Sequence, residues 1–297
     1  MLSCELVKHS FVLPFVYRKI ILLVLLLAIS LAVASEPIKQ LKTIDGDEYS
    51  YISKVKQGPL AVILTMTTRS SLNNEFTSIG RRLLDEGFVV ASLDLPCHGS
   101  DIPGRVRQQL DRFLKGRRTG EGLKCWAAWM SDDSPDIFDA FTLRVDRVLK
   151  DLRARKLVSG DRVVLVGVSR GGYLAMRVAA HNPLITDVIG LAPVTDLQAL
   201  TEFTQVKVDQ AVYGLGRHAT ILSQKRLFLQ VGSSDMRVGT RAVLKLVDTI
   251  IDAGGGRPVD LTLIVTPDPG HQSSEHNRAA QWILEGASKV GNTMHAP

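Results

Sequence analysis

Six short runs rich in Val, Ile and Leu recur along this chain, and they alternate with longer segments whose apolar residues follow a helical period. The runs are Pro59–Leu64, Phe88–Leu93, Arg162–Gly167, Asp187–Ala192, Arg226–Val231 and Val259–Val265. A near-continuous apolar strand is what a parallel sheet covered on both faces requires, because neither face of the strand meets water. A further stretch, Tyr49–Val55, alternates in the manner of an antiparallel edge strand.

The intervening segments read as helices. Phe138, Phe141, Val145, Val148, Leu149 and Leu152 share one helical face, with Ser134-Pro135 placed to start it as N-cap and first-turn proline. Val243, Leu246, Val247, Ile250 and Ile251 line a second helix, which Gly254-Gly255-Gly256 ends. A third runs from Tyr173 to His181 and stops at Asn182-Pro183. Repeated strand–helix alternation predicts an α/β fold: a mostly parallel, doubly wound sheet with helices on both faces.

With 45% hydrophobic and 22% charged residues over 297 positions, the chain has ample material for a full core, which excludes intrinsic disorder and a disulfide-dense miniprotein. The longest apolar run, Ile20–Ala34, follows Arg18-Lys19 and is short for a span needing about 20 apolar residues. Its basic flank and the small residues Ala32 and Ala34 describe a secretory signal peptide cut before Ser35; the alternative is an uncleaved anchor. Either way residues 35–297 are expected to form one domain outside the cytoplasm, secreted or periplasmic in the first case and membrane-anchored in the second. Removing residues 1–34 takes away Lys8, Arg18, Lys19 and Glu5, so the net charge falls from +6 to +4. That is too small and dispersed for a nucleic-acid partner, and a membrane partner is expected only through the N-terminal segment. Of three cysteines, Cys97 and Cys125 remain. Two cysteines define no framework, so pairing is left open.

Two segments break the alternation and are expected to act as cap insertions. Residues 100–133 carry Arg105, Arg107, Arg112, Lys115, Arg117, Arg118 and Lys124 followed by Trp126 and Trp129, and residues 197–224 are mostly polar. The two tryptophans either form a substrate wall or pack the segment onto the core.

Gly167-Val168-Ser169-Arg170-Gly171 follows a predicted strand and opens a predicted helix. G-x-S-x-G is a weak pattern alone, but a strand-to-helix junction is the context of a nucleophile elbow, in which a strained turn lifts the serine hydroxyl above the sheet. The new helix also supplies unpaired N–H groups, so the Arg170 N–H is a natural oxyanion donor. A glycine-rich turn bearing a solvent-facing serine is the competing reading.

A serine hydroxyl needs a base, and the base needs an orienting acid. His271 follows the last predicted strand and Asp235 follows the strand before it, so all three groups sit at carboxyl ends of strands, where open α/β sheets bind ligands. Asp196, after the intervening strand, is the alternative acid, and His98, in Asp94-Leu95-Pro96-Cys97-His98, is a candidate cleft-lining residue. Asp268 is expected to shape the histidine loop, His181 to end a helix, and His218 and His276 to lie on the surface. No His-x-x-x-His spacing, phosphate-binding Gly-Lys-Ser/Thr loop or dinucleotide fingerprint is present, so neither a metal nor any other cofactor is expected.

From Leu41 to about Trp282 the chain resembles the α/β-hydrolases, on the strength of Leu93–Gly99, Gly167–Gly172, Leu191–Asp196, Gly232–Asp235 and Pro269–His271. It is most similar to secreted members of the dienelactone hydrolase and prolyl oligopeptidase-like groups. The resemblance implies metal-free hydrolysis of an ester, lactone or peptide, with Ser169 as nucleophile, Asp235 as acid and His271 as base. Relatives place a His-Gly pair after the third strand to supply a second oxyanion donor; here Leu64–Arg69 reads Leu-Thr-Met-Thr-Thr-Arg, and Thr67 takes the expected place. The function so predicted is a serine hydrolase cleaving a small carboxylic ester through an acyl-enzyme. Peptide or amide hydrolysis, acyl transfer and a catalytically silent binding scaffold are the alternatives.

Overall fold

The apolar runs assemble into one eight-stranded sheet of order β1-β2-β4-β3-β5-β6-β7-β8. The computed structural model describes residues 36–99, 121–130 and 136–293, and those from Ile38 onward belong to the unit Ile38–Pro297. The signal or anchor segment and most of the expected insertion at 100–133 lie outside the described residues. Strands β1 (Lys39–Lys42) and β2 (Glu48–Ile52) pair antiparallel, and β2 runs antiparallel to β4 (Val89–Ser92). The other strands, β3 (Gly58–Leu64), β5 (Val158–Val168), β6 (Ile185–Leu191), β7 (Arg226–Gly232) and β8 (Leu261–Thr266), run parallel to β4 and to one another.

The period-2 pleat divides each run between two cores. Leu60, Val62, Leu64, Val163, Leu165, Leu227, Leu229 and Val231 face one side. There they meet α3 (Glu121–Met130), α4 (Ile137–Ala154), α5 (Arg170–His181) and α8 (Thr240–Ala253). Ala61, Ile63, Val90, Val164, Val166, Ile189 and Phe228 face the other, under α1 (Thr68–Leu72), α2 (Ile79–Asp85) and α9 (His276–Thr293). Burial on both faces is why these runs are continuous rather than alternating. Between β6 and β7 the chain makes short helical turns, including α6 (Gln210–Tyr213) and α7 (Ala219–Leu222), and sinks Leu197, Leu200, Phe203, Leu215 and Leu222 into the first core. Among the described residues no helix is long and apolar enough to cross a membrane.

Three local expectations are corrected. β2 is not an edge strand: the short polar strand β1 covers it, and Tyr49, Ser50, Tyr51 and Ile52 are all buried. The N-cap of α4 is Asp136, whose carboxylate accepts the Phe138 N–H, rather than Ser134. His218 is buried, its ring 4.9 Å from that of His181.

The strand order sets the place of the site. After β3 the chain crosses to α1 and α2 on one face, and after β5 it crosses to α5 on the other, so a crevice opens at the carboxyl ends of these two neighbouring strands. Leu64 and Gly167 are register partners, which puts the Thr65–Thr67 loop beside Ser169.

Candidate active site

Ser169 ends β5 and starts α5 with φ +54° and ψ −118°, a conformation that costs a side-chain-bearing residue about 1–3 kcal/mol. Hydrogen bonds on both sides hold it: its N–H donates to Leu191 O at 3.0 Å, and its carbonyl accepts from Gly172 and Val194 N–H, each at 2.9 Å. The turn is tight enough to need glycine at its base, since a Cβ on Gly171 would lie 1.9 Å from Leu64 O. The sharp turn lifts the Ser169 hydroxyl into the crevice.

The structure brings Ser169, His271 and Asp235 together. His271 Nε2 lies 2.9 Å from Ser169 Oγ, and His271 Nδ1 lies 2.9 Å from Asp235 Oδ2. Asp235 is buried, and its Oδ1 accepts the N–H groups of Arg237 (2.9 Å) and Val238 (3.1 Å). These bonds fix the carboxylate so that Oδ2 faces the imidazole. Nδ1–H then donates to Asp235, leaving the Nε2 lone pair toward the serine hydroxyl. The alternative acid, Asp196, is turned away: it caps the 3₁₀ turn Leu197–Ala199 by accepting the Gln198 N–H and bonds the exposed Gln210 side chain.

The loop carrying His271 is braced from below by a residue the sequence did not single out. Gln230 interrupts the apolar run of β7 and is fully buried. Its amide N–H groups donate to Thr266 Oγ1 (3.1 Å) and Gln272 O (3.4 Å), and its Oε1 accepts the Ser274 N–H (3.2 Å). Asp268 accepts the Ser274 hydroxyl at 2.8 Å, the loop-shaping role expected of it.

The oxyanion side departs from expectation. Thr67 N–H donates to Ser70 Oγ at 3.0 Å, and Thr67 Oγ1 accepts the Ser70 N–H, so Thr67 is occupied as the N-cap of α1. Met66 instead lines the crevice beside Ser169, and among the described residues its carbonyl accepts the Leu95 N–H while its own N–H has no partner. Behind it, Thr65, Ser70 and Ser71 form a buried hydroxyl cluster with Thr65 Oγ1 2.9 Å from each serine Oγ.

Of the three predicted substrate contacts, Trp126 is a core residue. It is fully buried, its ring 4.8 Å from Phe138, and its indole N–H donates to Pro96 O at 2.8 Å. Trp129 packs half-buried against the same core. His98 is buried but touches the crevice indirectly: its Nδ1 bonds Pro96 O at 2.8 Å, and its Nε2 accepts from Arg170 Nη1 at 2.9 Å. Burial, with the Arg170 charge beside it, pulls the His98 imidazole down to about 4, so it is neutral. Burial and the neighbouring Arg237 charge lower the Arg170 guanidinium to about 10, still charged near neutrality. A disulfide joins Cys97 to Cys125, with Cα atoms 6.1 Å apart, and fastens this loop to α3.

Thr65, Met66, Phe76, Val168, Ser169, Arg170, Ala192, His271 and Ser273 enclose about 290 Å³ over the serine, small for a ligand site. Among the described residues no cluster of three His, Cys, Asp or Glu side chains could hold a metal ion.

Comparison with known proteins agrees with this architecture. A Thermus thermophilus protein superposes with a TM-score of 0.61 at 17% identity, covering 84% of this chain and 98% of that one. Acetyl xylan esterase 1 of a Thermoanaerobacterium species gives 0.57 at 17% identity, covering 85% and 88%. Dipeptidyl peptidase 4 of Porphyromonas gingivalis gives 0.57 at 14% identity, covering 84% of this chain but 35% of the peptidase. No curated protein sequence matches. At such identities the likeness shows the fold alone. The sequence itself matches a family model over residues 68–290, and the chain belongs to the alpha/beta hydrolase family.

Proposed function

We propose that this protein is a serine hydrolase that cleaves a small carboxylic ester through an acyl-enzyme. The observation that carries the reading is the pair of 2.9 Å contacts linking Ser169 Oγ, the His271 imidazole and Asp235 Oδ2. Ser169 Oγ attacks the ester carbonyl while His271 Nε2 takes its proton, and Asp235 stabilises the imidazolium that forms. His271 then protonates the departing alcohol; water, deprotonated by the same imidazole, attacks the acyl-enzyme, and Ser169 recovers its proton.

Negative charge on the tetrahedral oxygen needs donors already aimed at it. The backbone N–H of Arg170, at the start of α5, is one, and the Met66 N–H takes the second place in the stead of Thr67. Losing one such donor typically costs about 10²–10³ in turnover, so the hydroxyl cluster holding the Met66 loop bears directly on rate. The small volume over the serine favours short acyl groups over long chains. An oxidising compartment fits the Cys97–Cys125 bridge and the signal-like Ile20–Ala34 segment, so we place the domain outside the cytoplasm.

The test is a series of 4-nitrophenyl esters from acetate to decanoate, offered to the domain beginning at Ser35. Turnover concentrated in acetate to butyrate, and lost in Ser169→Ala, is the expected result. Hydrolysis unaffected by that substitution, or none of any ester, contradicts the proposal.

A further inference from the structure

Most arginines buried or half-buried among the described residues are matched to carboxylates; Arg82, bonded to the side-chain amides of Asn277 and Gln281, is an exception. Arg147 pairs with Asp47, Arg162 and Arg226 share Asp187, Arg177 holds Asp136 and Asp139, and Arg237 grips Glu202 through two bonds of 2.9 and 2.6 Å. Arg170, beside the candidate nucleophile, also lacks such a pair. Among the described residues its one hydrogen-bond partner is a neutral imidazole, that of His98. The charges that act on it are those of Arg237 and Glu202. Glu202 is already engaged by Arg237 in both oxygens, so among the described residues the Arg170 charge is left without a carboxylate partner of its own.

That charge is fixed in place by a chain of constraints. His98 is oriented by its bond to Pro96 O, which leaves Nε2 as an acceptor for the guanidinium. Gly122 of α3 lies so close that a Cβ there would fall 2.1 Å from the His98 ring, and the Cys97–Cys125 bridge holds that approach. Arg170 is also the residue next to the candidate nucleophile and lines the same crevice. A guanidinium desolvated and left without a carboxylate is costly as a structural element, whereas held rigid beside a reacting centre it is preorganised to bind one.

We infer that Arg170 is a specificity-determining residue and that the ester cleaved here bears a carboxylate, which docks on the Arg170 guanidinium beside Ser169. A single carboxylate balances the leftover charge, and its two oxygens suit the planar fork of N–H donors that His98 does not occupy. This rests on the serine-hydrolase reading of the site. The carboxylate can belong to the acyl half or the alcohol half of the ester, and both present the same group to the guanidinium.

Two ester pairs that differ only in that charge test the idea. 4-Nitrophenyl hydrogen adipate against 4-nitrophenyl methyl adipate probes the acyl half, and 4-acetoxybenzoate against methyl 4-acetoxybenzoate the alcohol half. In one pair, kcat/KM for the charged ester is expected to exceed that for the neutral one by about 10- to 100-fold, the range of a charge-assisted hydrogen bond. The ratio should collapse toward one in Arg170→Met and survive in part in Arg170→Lys; because it is a ratio, a general loss of rate does not move it. Should these variants fail to fold, the wild-type protein still decides: benzoate should inhibit neutral-ester hydrolysis competitively, and benzamide, of the same shape without charge, should not. Hydrolysis of the neutral esters with no preference in either pair, or equal inhibition by benzoate and benzamide, overturns the inference and leaves the serine-hydrolase reading standing. Failure to cleave any of the four esters overturns both.

Discussion

The two edges of the sheet treat polar groups in opposite ways. At the amino edge, Asp187 of β6 is buried, yet it receives two bonds from Arg162 at 3.0 and 2.8 Å and a further one from Arg226. Arg162 also donates to Ile283 O, tying α9 to the strands. The two arginines there are matched to one buried carboxylate, and Lys225 is held by the carbonyls of Asn182 and Ile185. At the carboxyl edge Ser169 sits at positive φ, and among the described residues Met66 keeps an unpaired N–H and the one hydrogen-bond partner of the Arg170 guanidinium is a neutral ring. At one end ion pairs tie strands and helix together; at the other, strain and polar groups without partners gather around the candidate nucleophile. In open α/β sheets ligands bind at the carboxyl ends of the strands, and the contrast in satisfaction is the local physical form of that rule.

If the contrast is real, the two edges should fail differently when mutated. Ser169→Ala should lower ester turnover by about 10⁶, the full loss of a nucleophile, while its melting temperature stays within a few degrees of the wild type. Asp235→Asn should cost about 10⁴, since an amide facing Nδ1 no longer requires the tautomer that leaves Nε2 free. At the opposite edge, Asp187→Ala strands two arginines and should lower stability by about 3–5 kcal/mol in urea unfolding. Turnover per folded molecule should not change in that variant, and a fall in kcat there would blur the distinction between the edges.

Smaller effects sharpen it. Gln230→Leu keeps the volume in β7 but removes the bonds that position the His271 loop; kcat should fall by about 10- to 100-fold with KM moved little. Gln230→Glu, able to accept but not donate, should not restore the rate. Smallest is an acid effect. His98 is neutral in the fold, held near 4, and free histidine titrates near 6.5, so between those values the unfolded chain binds the extra proton. Its contribution to stability is whole above about pH 6.5 and drains away as the pH falls toward 4. Melting temperature measured across that window should decline, and the decline should flatten in His98→Gln.

What could be read from sequence followed how directly each feature is written in neighbouring residues. Both cores were legible because burial on two faces leaves continuous runs such as Leu60–Leu64, and the elbow because glycines must flank Ser169 on either side. Strand β1, Lys39-Gln40-Leu41-Lys42, was not: it is mostly exposed and exists by pairing with β2, which no local pattern records. Thr67 was displaced by Ser70, a competition for one N–H that depends on where α1 begins. Trp126 joined the core because α3 folds back over Phe138 and Tyr173. Gln230 and the His98–Arg170 contact link residues 36 or more positions apart, so only the fold reveals them.

The central claim is that His271 activates the Ser169 hydroxyl at the carboxyl edge. A fluorophosphonate probe measures this without choosing a substrate, because it reacts with an activated serine and stays attached. Peptide mapping of the labelled protein should find one adduct, on Ser169, formed quickly at pH 8 and not at all in Ser169→Ala or His271→Ala. An adduct on another residue, or labelling of Ser169 that persists undiminished without His271, contradicts the account.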